Sequence, residues 1–142
     1  MLKFVLMITK KGQTRLSHYF ERREIKDRPT LEADLLRKIR QRSLDQCSFF
    51  DYQDLRITYR LYQNIYIIVG TDTEENGISV LEFIQLFMEV LHTYFSPITE
   101  IDIMYNLDKV HMVLEEIVTN GCIVETCIAN ILEPMRLMDS KK

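Results

Sequence analysis

The sequence predicts a single α+β domain in which a five-stranded antiparallel sheet is flanked by helices. The first half of the chain contains five apolar segments of strand length separated by short turns, and the second half contains apolar residues at helical spacing. A length of 142 residues, with 46% hydrophobic and 27% charged residues, suits one globular domain with a sizeable core. The domain is expected to span residues 1–142, with residues 139–142 as a frayed tail.

Two segments at the start of the chain predict a β-hairpin. Leu2 to Ile8 is rich in Phe, Val, Leu and Ile, and Gln13 to Phe20 alternates between two faces. Gly12 lies in the turn between them. Because successive side chains of a strand point to opposite faces, Arg15 and Leu16 are expected on opposite sides of the sheet.

The next segment predicts an amphipathic helix that begins near Pro29 and Thr30. Its apolar residues at helical spacing are Leu31, Leu35, Leu36 and Ile39. Its basic residues are Arg37, Lys38, Arg40 and Arg42. This basic cluster is either the solvated side of the helix or a contact for an acidic lipid headgroup or an acidic partner.

Three further strands are predicted, from Ser48 to Tyr52, from Leu55 to Tyr62 and from Ile65 to Thr71. The dipeptides at 53–54 and 63–64 that separate them are short enough for tight hairpins. Together with the first hairpin, these strands predict a mostly antiparallel meander with one helix inserted after the second strand.

The segment from Ile78 to Phe95 predicts a helix that is apolar around most of its circumference. Its polar stripe consists of Glu82, Gln85, Glu89 and His92. A helix resting on one sheet needs an apolar face only about 100° wide, so a second polypeptide is expected to cover the remainder. The expected partner-interface residues are Leu81, Phe83, Ile84, Phe87 and Leu91.

Two helices are predicted near the end of the chain. The first runs from Leu107 to Val118, with Asn106 as its N-cap and Gly121 placed to end it. The second runs from Thr126 toward Met138 and is expected to break or kink at Pro134.

No group of residues predicts catalysis or metal binding. The histidines His18, His92 and His111 are isolated in sequence and are expected at the surface or satisfied in the core. Cys122 and Cys127 lack C-x-x-C spacing and are expected to be buried thiols. The four glycines form no phosphate loop, dinucleotide fingerprint or nucleophile elbow. We therefore expect neither an enzyme nor a cofactor nor a metal.

Charge and cysteine content bear on the cellular setting. A net charge of -3 and a pI near 5.6 argue against nonspecific binding of nucleic acid. Three cysteines, and a start that does not match a signal peptide, predict a reduced, cytosolic protein. No uninterrupted apolar run approaches the ~18 residues of a spanning helix, so membrane contact is expected to be indirect.

Four segments resemble, in order and in spacing, the small (sigma) subunits of clathrin-adaptor-type complexes. They are "MLKFVLMITKKGQTRLSHYF", "CSFFDYQDLRITYRLYQNIYIIVG", "LEFIQLFMEVLHTYF" and "TEIDIMYNLDKVHMVLEEIVTNGCIVET". The most specific parts are "GQTRL", Y-R-x-Y at 59–62 and E-x-D-I-M-Y-N-x-D-K-V at 100–110. Within that family, "NLDKVHMVLEEIVTNGCIVET" is most similar to the sigma subunits of the fourth adaptor complex.

The resemblance implies a longin-like fold, with the sheet between one helix on one face and the later helices on the other. It also implies a heterotetramer of two large subunits, one medium (mu) subunit and this small one. Such a complex selects membrane-protein cargo and forms vesicle coats at the cytosolic face of the trans-Golgi network. An Arf-class GTPase recruits it.

The same resemblance implies a cargo site. Arg15 corresponds to the basic residue that holds the acid of a [DE]-x-x-x-L-[LI] sorting signal, while an apolar groove takes the two leucines. The groove positions correspond to Ile65, Met88, Ile98 and Ile101. Two residues depart from the family pattern, since Gln63 replaces a small residue at the groove floor and Pro97 replaces an asparagine. A glutamine amide in a leucine pocket fills volume and needs hydrogen-bond partners of its own.

Two alternatives stay open from the sequence. Arg15 is also compatible with an exposed strand residue or with an ion pair to a large subunit. The domain as a whole is also compatible with a free-standing regulatory longin domain that binds a SNARE helix or a small GTPase.

Overall fold

The computed structural model describes residues 1–20, 28–41, 47–95 and 99–140. Of the predicted positions, Arg42, Pro97 and Ile98 lie outside these ranges, as do residues 141–142. The expected α+β fold is confirmed in the described part of the chain, where five helices pack around a five-stranded sheet.

The main sheet has the strand order β2-β1-β5-β4-β3, and all neighbouring strands are antiparallel. Its strands are β1 (Leu2–Thr9), β2 (Thr14–Tyr19), β3 (Cys47–Tyr52), β4 (Leu55–Tyr62) and β5 (Ile65–Asp72). The predicted simple meander is therefore wrong in one respect, because β1 pairs with β5 and leaves β2 and β3 at opposite edges. Strand β1 is buried along nearly its whole length, which requires neighbours on both sides.

Alternate residues of β1 enter two separate cores. Phe4, Leu6 and Ile8 face helix α1 (Arg28–Gln41), which buries its four predicted leucine and isoleucine side chains on this side. Val5 and Met7 face the opposite core, where the remaining helices pack. One sheet thus separates a small core under α1 from a larger one.

The larger core lies under helix α2 (Gly77–Phe95). Helices α4 (Leu107–Ile117) and α5 (Ile128–Ser140) pack against α2 and contribute buried side chains to the same core. By length and composition α2 would suffice to cross a membrane, but eight of its residues are buried, as in the core helix of a globular domain.

The end of the chain differs from its prediction in three ways. Gly121 does not end a helix, because α4 stops at Ile117 and Gly121 lies in the turn of a small hairpin, β6 (Val118–Thr119) and β7 (Cys122–Ile123). Asn120 and Gly121 both have positive φ there, at 52° and 81°, as a type I′ turn requires. Pro134 lies inside α5 without ending it.

The predicted frayed tail begins too early. Helix α5 continues to Ser140, and the Asp139 carboxylate accepts hydrogen bonds from Tyr94 (2.6 Å) and Lys109 (3.4 Å). These contacts attach the last turn of the helix to α2 and α4.

Candidate functional site

Arg15 lies at an irregularity in the pairing of β1 with β2. Met7 pairs with Leu16 and Ile8 with Thr14, so Arg15 is the extra residue of a β-bulge. A bulge redirects the side chain of its extra residue. Arg15 contacts helix α3 (Glu100–Tyr105), whose Ile103 packs in the same core as Leu16. The prediction that Arg15 and Leu16 lie on opposite sides of the sheet is therefore wrong.

The guanidinium group of Arg15 is held by two acceptors of its own chain. Its Nε donates to Glu100 Oε1 at 2.7 Å, and its Nη2 donates to Gln13 Oε1 at 2.7 Å. The side chains of Arg15 and Glu100 are 22% and 35% exposed. An ion pair with short hydrogen bonds at such a half-buried position is stronger than one in open solvent.

A narrow cavity lies beside this ion pair, between strand β5 and helices α2 and α3. Its lining residues are Met7, Tyr62, Gln63, Ile65, Ile67, Met88, Thr99, Glu100 and Ile103. The cavity volume is only about 10 Å³, which is close to the room of a single water molecule. Glu100 thus connects Arg15 to a small, mostly apolar cavity.

Three of the predicted cargo-site positions meet at this cavity. Ile65, Met88 and Gln63 all line it. Gln63 lies in the turn between β4 and β5 with φ of 55°, a left-handed conformation that is uncommon for a residue other than glycine. The predicted apolar position Ile101 does not line this cavity and is 63% exposed, so its assignment to the cargo site stays a prediction. Ile103, two residues later, lines the cavity instead.

Helix α3 was not predicted, although its start carries a sequence signal. Thr99 Oγ1 accepts from the Asp102 backbone N–H at 3.3 Å, and Asp102 Oδ2 accepts from the Thr99 N–H at 2.9 Å. This reciprocal pair is a capping box, readable as T-x-x-D. Asn106, the predicted N-cap of α4, occupies that position but donates its side-chain N–H back to the Asp102 carbonyl at 3.0 Å.

The predicted partner-interface residues of α2 require a correction. Phe83, Ile84, Phe87 and Leu91 are at most 2% exposed within the chain itself. These side chains share one core with the sheet, α4 and α5, all of which pack against α2, while the polar stripe of this helix stays exposed. These four side chains are therefore buried without a second polypeptide. Leu81 is only half-buried, so its assignment to an interface stays a prediction.

Two of the three histidines, predicted to be isolated, contact each other. His18 Nδ1 of β2 and His111 Nδ1 of α4 are 2.7 Å apart, so one nitrogen donates and the other accepts. Burial lowers the pKa of His18, the charge of His111 lowers it further, and Glu115 opposes both. Burial also lowers the pKa of His111, against the opposing effects of Glu115 and Asp108. Both pKa shifts thus favour the neutral form of the two rings.

Cys122 and Cys127 are exposed, so the prediction of buried thiols is wrong for both. Among the described residues, no group of three or more His, Cys, Asp or Glu side chains is placed to hold a metal ion.

The basic residues of α1 border a wider groove of about 630 Å³ between this helix and the β1–β2 turn. Arg37 Nη2 donates to Asp34 Oδ1 at 2.8 Å, and Arg40 Nη2 donates to the Lys10 carbonyl at 2.6 Å. Each of these two guanidinium groups therefore has a partner within the chain, which is compatible with a solvated helix face.

The fold and the site together define the class of this domain. It is a small α+β domain with one helix on one side of an antiparallel sheet, several helices on the other, and an arginine beside an apolar cavity. Residues 1–142 match the family model described as the clathrin adaptor complex small chain. The chain belongs to this family, and the fold is the expected longin-like one.

Individual relatives show which adaptor-complex subunits this chain is similar to. The human AP-4 complex subunit sigma-1 is 50% identical over 139 residues, covering 98% of this chain and 96% of that protein. The Arabidopsis thaliana AP-4 complex subunit sigma is 46% identical, covering 97% and 96%. A chain of a homology model of the full-length AP-3 complex, in a stretched open conformation, superposes with a TM-score of 0.77 at 25% identity, covering 99% of this chain and 95% of that one. The similarity to sigma subunits of the fourth adaptor complex is confirmed.

Proposed function

We propose that this chain, as a small subunit of a heterotetrameric adaptor complex, helps to select membrane-protein cargo for transport vesicles. Its partners would be two large subunits and a medium (mu) subunit, with recruitment to the cytosolic face of the trans-Golgi network through an Arf-class GTPase. The whole of residues 1–142 acts as one non-enzymatic domain. The family match and the AP-4 sigma relatives support this role.

We further propose that Arg15 and the adjacent cavity bind acidic dileucine signals. One observation carries this proposal: Glu100 both pairs with Arg15 and lines the apolar cavity that contains Ile65 and Met88. A cation beside an apolar pocket matches a ligand that carries an acid and, further along its chain, two leucines. An arginine holds a carboxylate through short, charge-assisted hydrogen bonds, while leucine side chains gain affinity by burial.

The cavity must widen before leucine side chains enter it, since its volume is only about 10 Å³. Gln63 is the lining residue whose replacement would widen it with least damage, because its φ of 55° suits glycine better than any other residue. Alanine at this position would keep the strained backbone, so Gln63→Gly is the better test. Gln53 provides a matched control, because it has φ of 56° in the equivalent turn between β3 and β4, away from the cavity.

The test uses the assembled complex and a fluorescent peptide with the [DE]-x-x-x-L-[LI] pattern. We expect Arg15→Ala to weaken binding about two- to fivefold, the range of a partly exposed ion pair. Gln63→Gly should strengthen binding several-fold, whereas Gln53→Gly should leave it unchanged. Binding that is absent, or equal in all four proteins, would contradict the proposed site.

The large-subunit contact is expected elsewhere than on the buried side of α2. Exposed apolar side chains follow one another along α3 and into α4: Ile101, Met104, Tyr105 and Leu107. We propose that this surface and Leu81 contribute to the contact with a large subunit, in place of the four buried α2 residues. Co-purification of a large subunit with the wild-type chain, reduced by polar substitution at Tyr105, would support it. If the wild-type chain purifies as a folded monomer without a large subunit, the result would instead favour a free-standing longin domain.

A further inference from the structure

The Arg15–Glu100 ion pair raises a question about the proposed signal site, on which the following inference rests. The cation that would receive the acid of a signal already receives a carboxylate from its own chain, at 2.7 Å. Gln13 fixes the guanidinium through a second hydrogen bond at 2.7 Å, so that its Nε edge is presented to Glu100. The Nε edge of the guanidinium is therefore already occupied by a carboxylate.

Glu100 is placed so that its side chain can leave without unfolding the helix that carries it. The capping box of Thr99 and Asp102 fixes the backbone at the start of α3 independently of the Glu100 carboxylate. The Glu100 side chain is 35% exposed, so rotation about its own bonds brings the carboxylate into water. Such rotamer changes are fast and need no backbone movement.

We propose that Glu100 is an internal competitor for Arg15, which an acidic sorting signal must displace before it binds. The carboxylate of the signal then replaces the Glu100 carboxylate on Arg15. Because one ion pair is exchanged for another, the acid adds little net affinity. The leucine side chains, which enter the cavity that Glu100 also lines, supply most of it. Glu100 thereby sets how strongly this subunit distinguishes acidic from neutral dileucine peptides.

The experiment compares two peptides on four complexes. One peptide carries the acid of the [DE]-x-x-x-L-[LI] pattern, and the other carries glutamine in its place. The complexes contain wild-type chain, Glu100→Gln, Arg15→Ala, or Glu82→Gln as a control that removes one negative charge from an exposed position on α2. Dissociation constants are measured by fluorescence anisotropy.

We expect Glu100→Gln to tighten binding of the acidic peptide about two- to fivefold, the range of a partly exposed ion pair. The neutral peptide should bind wild type and Glu100→Gln equally, so the ratio of the two affinities rises. Glu82→Gln should behave as wild type. Binding of the acidic peptide to Glu100→Gln but not to wild type would support the inference more strongly still.

Three results overturn the inference in distinguishable ways. If binding depends on Arg15 but is unchanged or weakened in Glu100→Gln, Glu100 does not compete, and the proposed function survives. If Glu100→Gln tightens both peptides equally, the charge of Glu100 opposes peptide binding in general and does not compete with the acid of the signal. If no complex binds either peptide, the proposed dileucine site fails and the inference fails with it.

Discussion

Helices α2 and α3 both carry many apolar side chains, yet they dispose of them in opposite ways. Eight of the 19 residues of α2 are buried, whereas α3 buries only Ile103 among its six. On α3, Ile101, Met104 and Tyr105 are 63%, 46% and 80% exposed. The helix with the larger apolar surplus is therefore covered by its own chain, and the short one presents apolar surface to solvent.

The difference teaches that an apolar surplus does not say which chain will cover it. Helix α2 was expected to need a partner because only one sheet was counted against it. Val110, Val113 and Leu114 of α4, together with α5, add to the cover that the sheet provides, while the polar stripe of α2 stays exposed. Helix α3 is too short to form a second buried face, so its outward side chains have no cover within the described part of the chain.

The comparison predicts its largest effect inside α2. Phe87→Ala removes a ring with no exposed surface, and we expect the free energy of unfolding to fall by about 3–5 kcal/mol. Urea denaturation followed by circular dichroism measures it. Ile78→Ala, on the same helix but 63% exposed, is the control and should change stability by less than about 0.5 kcal/mol. Similar losses for the two variants would mean that α2 is not covered as described.

A smaller effect is expected at the start of α3. Thr99→Ala removes one half of the capping box and should cost about 1 kcal/mol, mostly as local opening. Hydrogen exchange at the backbone amides of Asp102 and Ile103 should accelerate. Thr93→Ala is the matched control, because the Thr93 hydroxyl donates only to the carbonyl of Glu89 within α2, a bond that contributes nothing to helix stability. Equal exchange in both variants would show that α3 does not depend on its cap.

The smallest effect concerns the link between β2 and α4. His18 and His111 both have a pKa below the unfolded value of about 6.5, so the unfolded chain binds more protons in the window below that value. The contribution of this pair to stability should therefore be constant above pH 7 and fall as the pH drops through 6.5. The melting temperature of His111→Gln should fall less between pH 7.5 and 5.5 than that of wild type. A parallel fall in the two proteins would assign the pH dependence to other groups.

The strands and α2 could be predicted because local patterns determine them. Turns of two residues at Gln53 and Gln63 separate apolar runs, and the polar stripe of α2 repeats at helical spacing. The role of Gly121 is ambiguous in the sequence, because glycine after a helix pattern suits a helix end, whereas Asn120 followed by glycine favours a type I′ turn. The T-x-x-D pattern of the capping box at Thr99 is itself a sequence signal for the start of α3.

The geometry of the candidate site depends on contacts between distant segments. Ile65, Met88 and Gln63 were identified through the family resemblance, and they do lie together. The partners of Arg15 and His18 could not be found this way, because Glu100 is 85 residues from Arg15 and His111 is 93 from His18. Periodicity within one segment does not predict which side chains of a distant segment will contact its own side chains.

The bulge in β2 has a consequence for the evolution of this hairpin. With regular pairing, residue 15 would lie opposite Ile8 and face α1, where Glu32 already accepts hydrogen bonds from Thr14 and Ser17. The guanidinium would then neutralise Glu32 and leave the cavity beside Ile65 without a cation from this strand. A single inserted or deleted codon in the loop from Lys10 to Gln13 would thus matter as much as replacing the arginine itself.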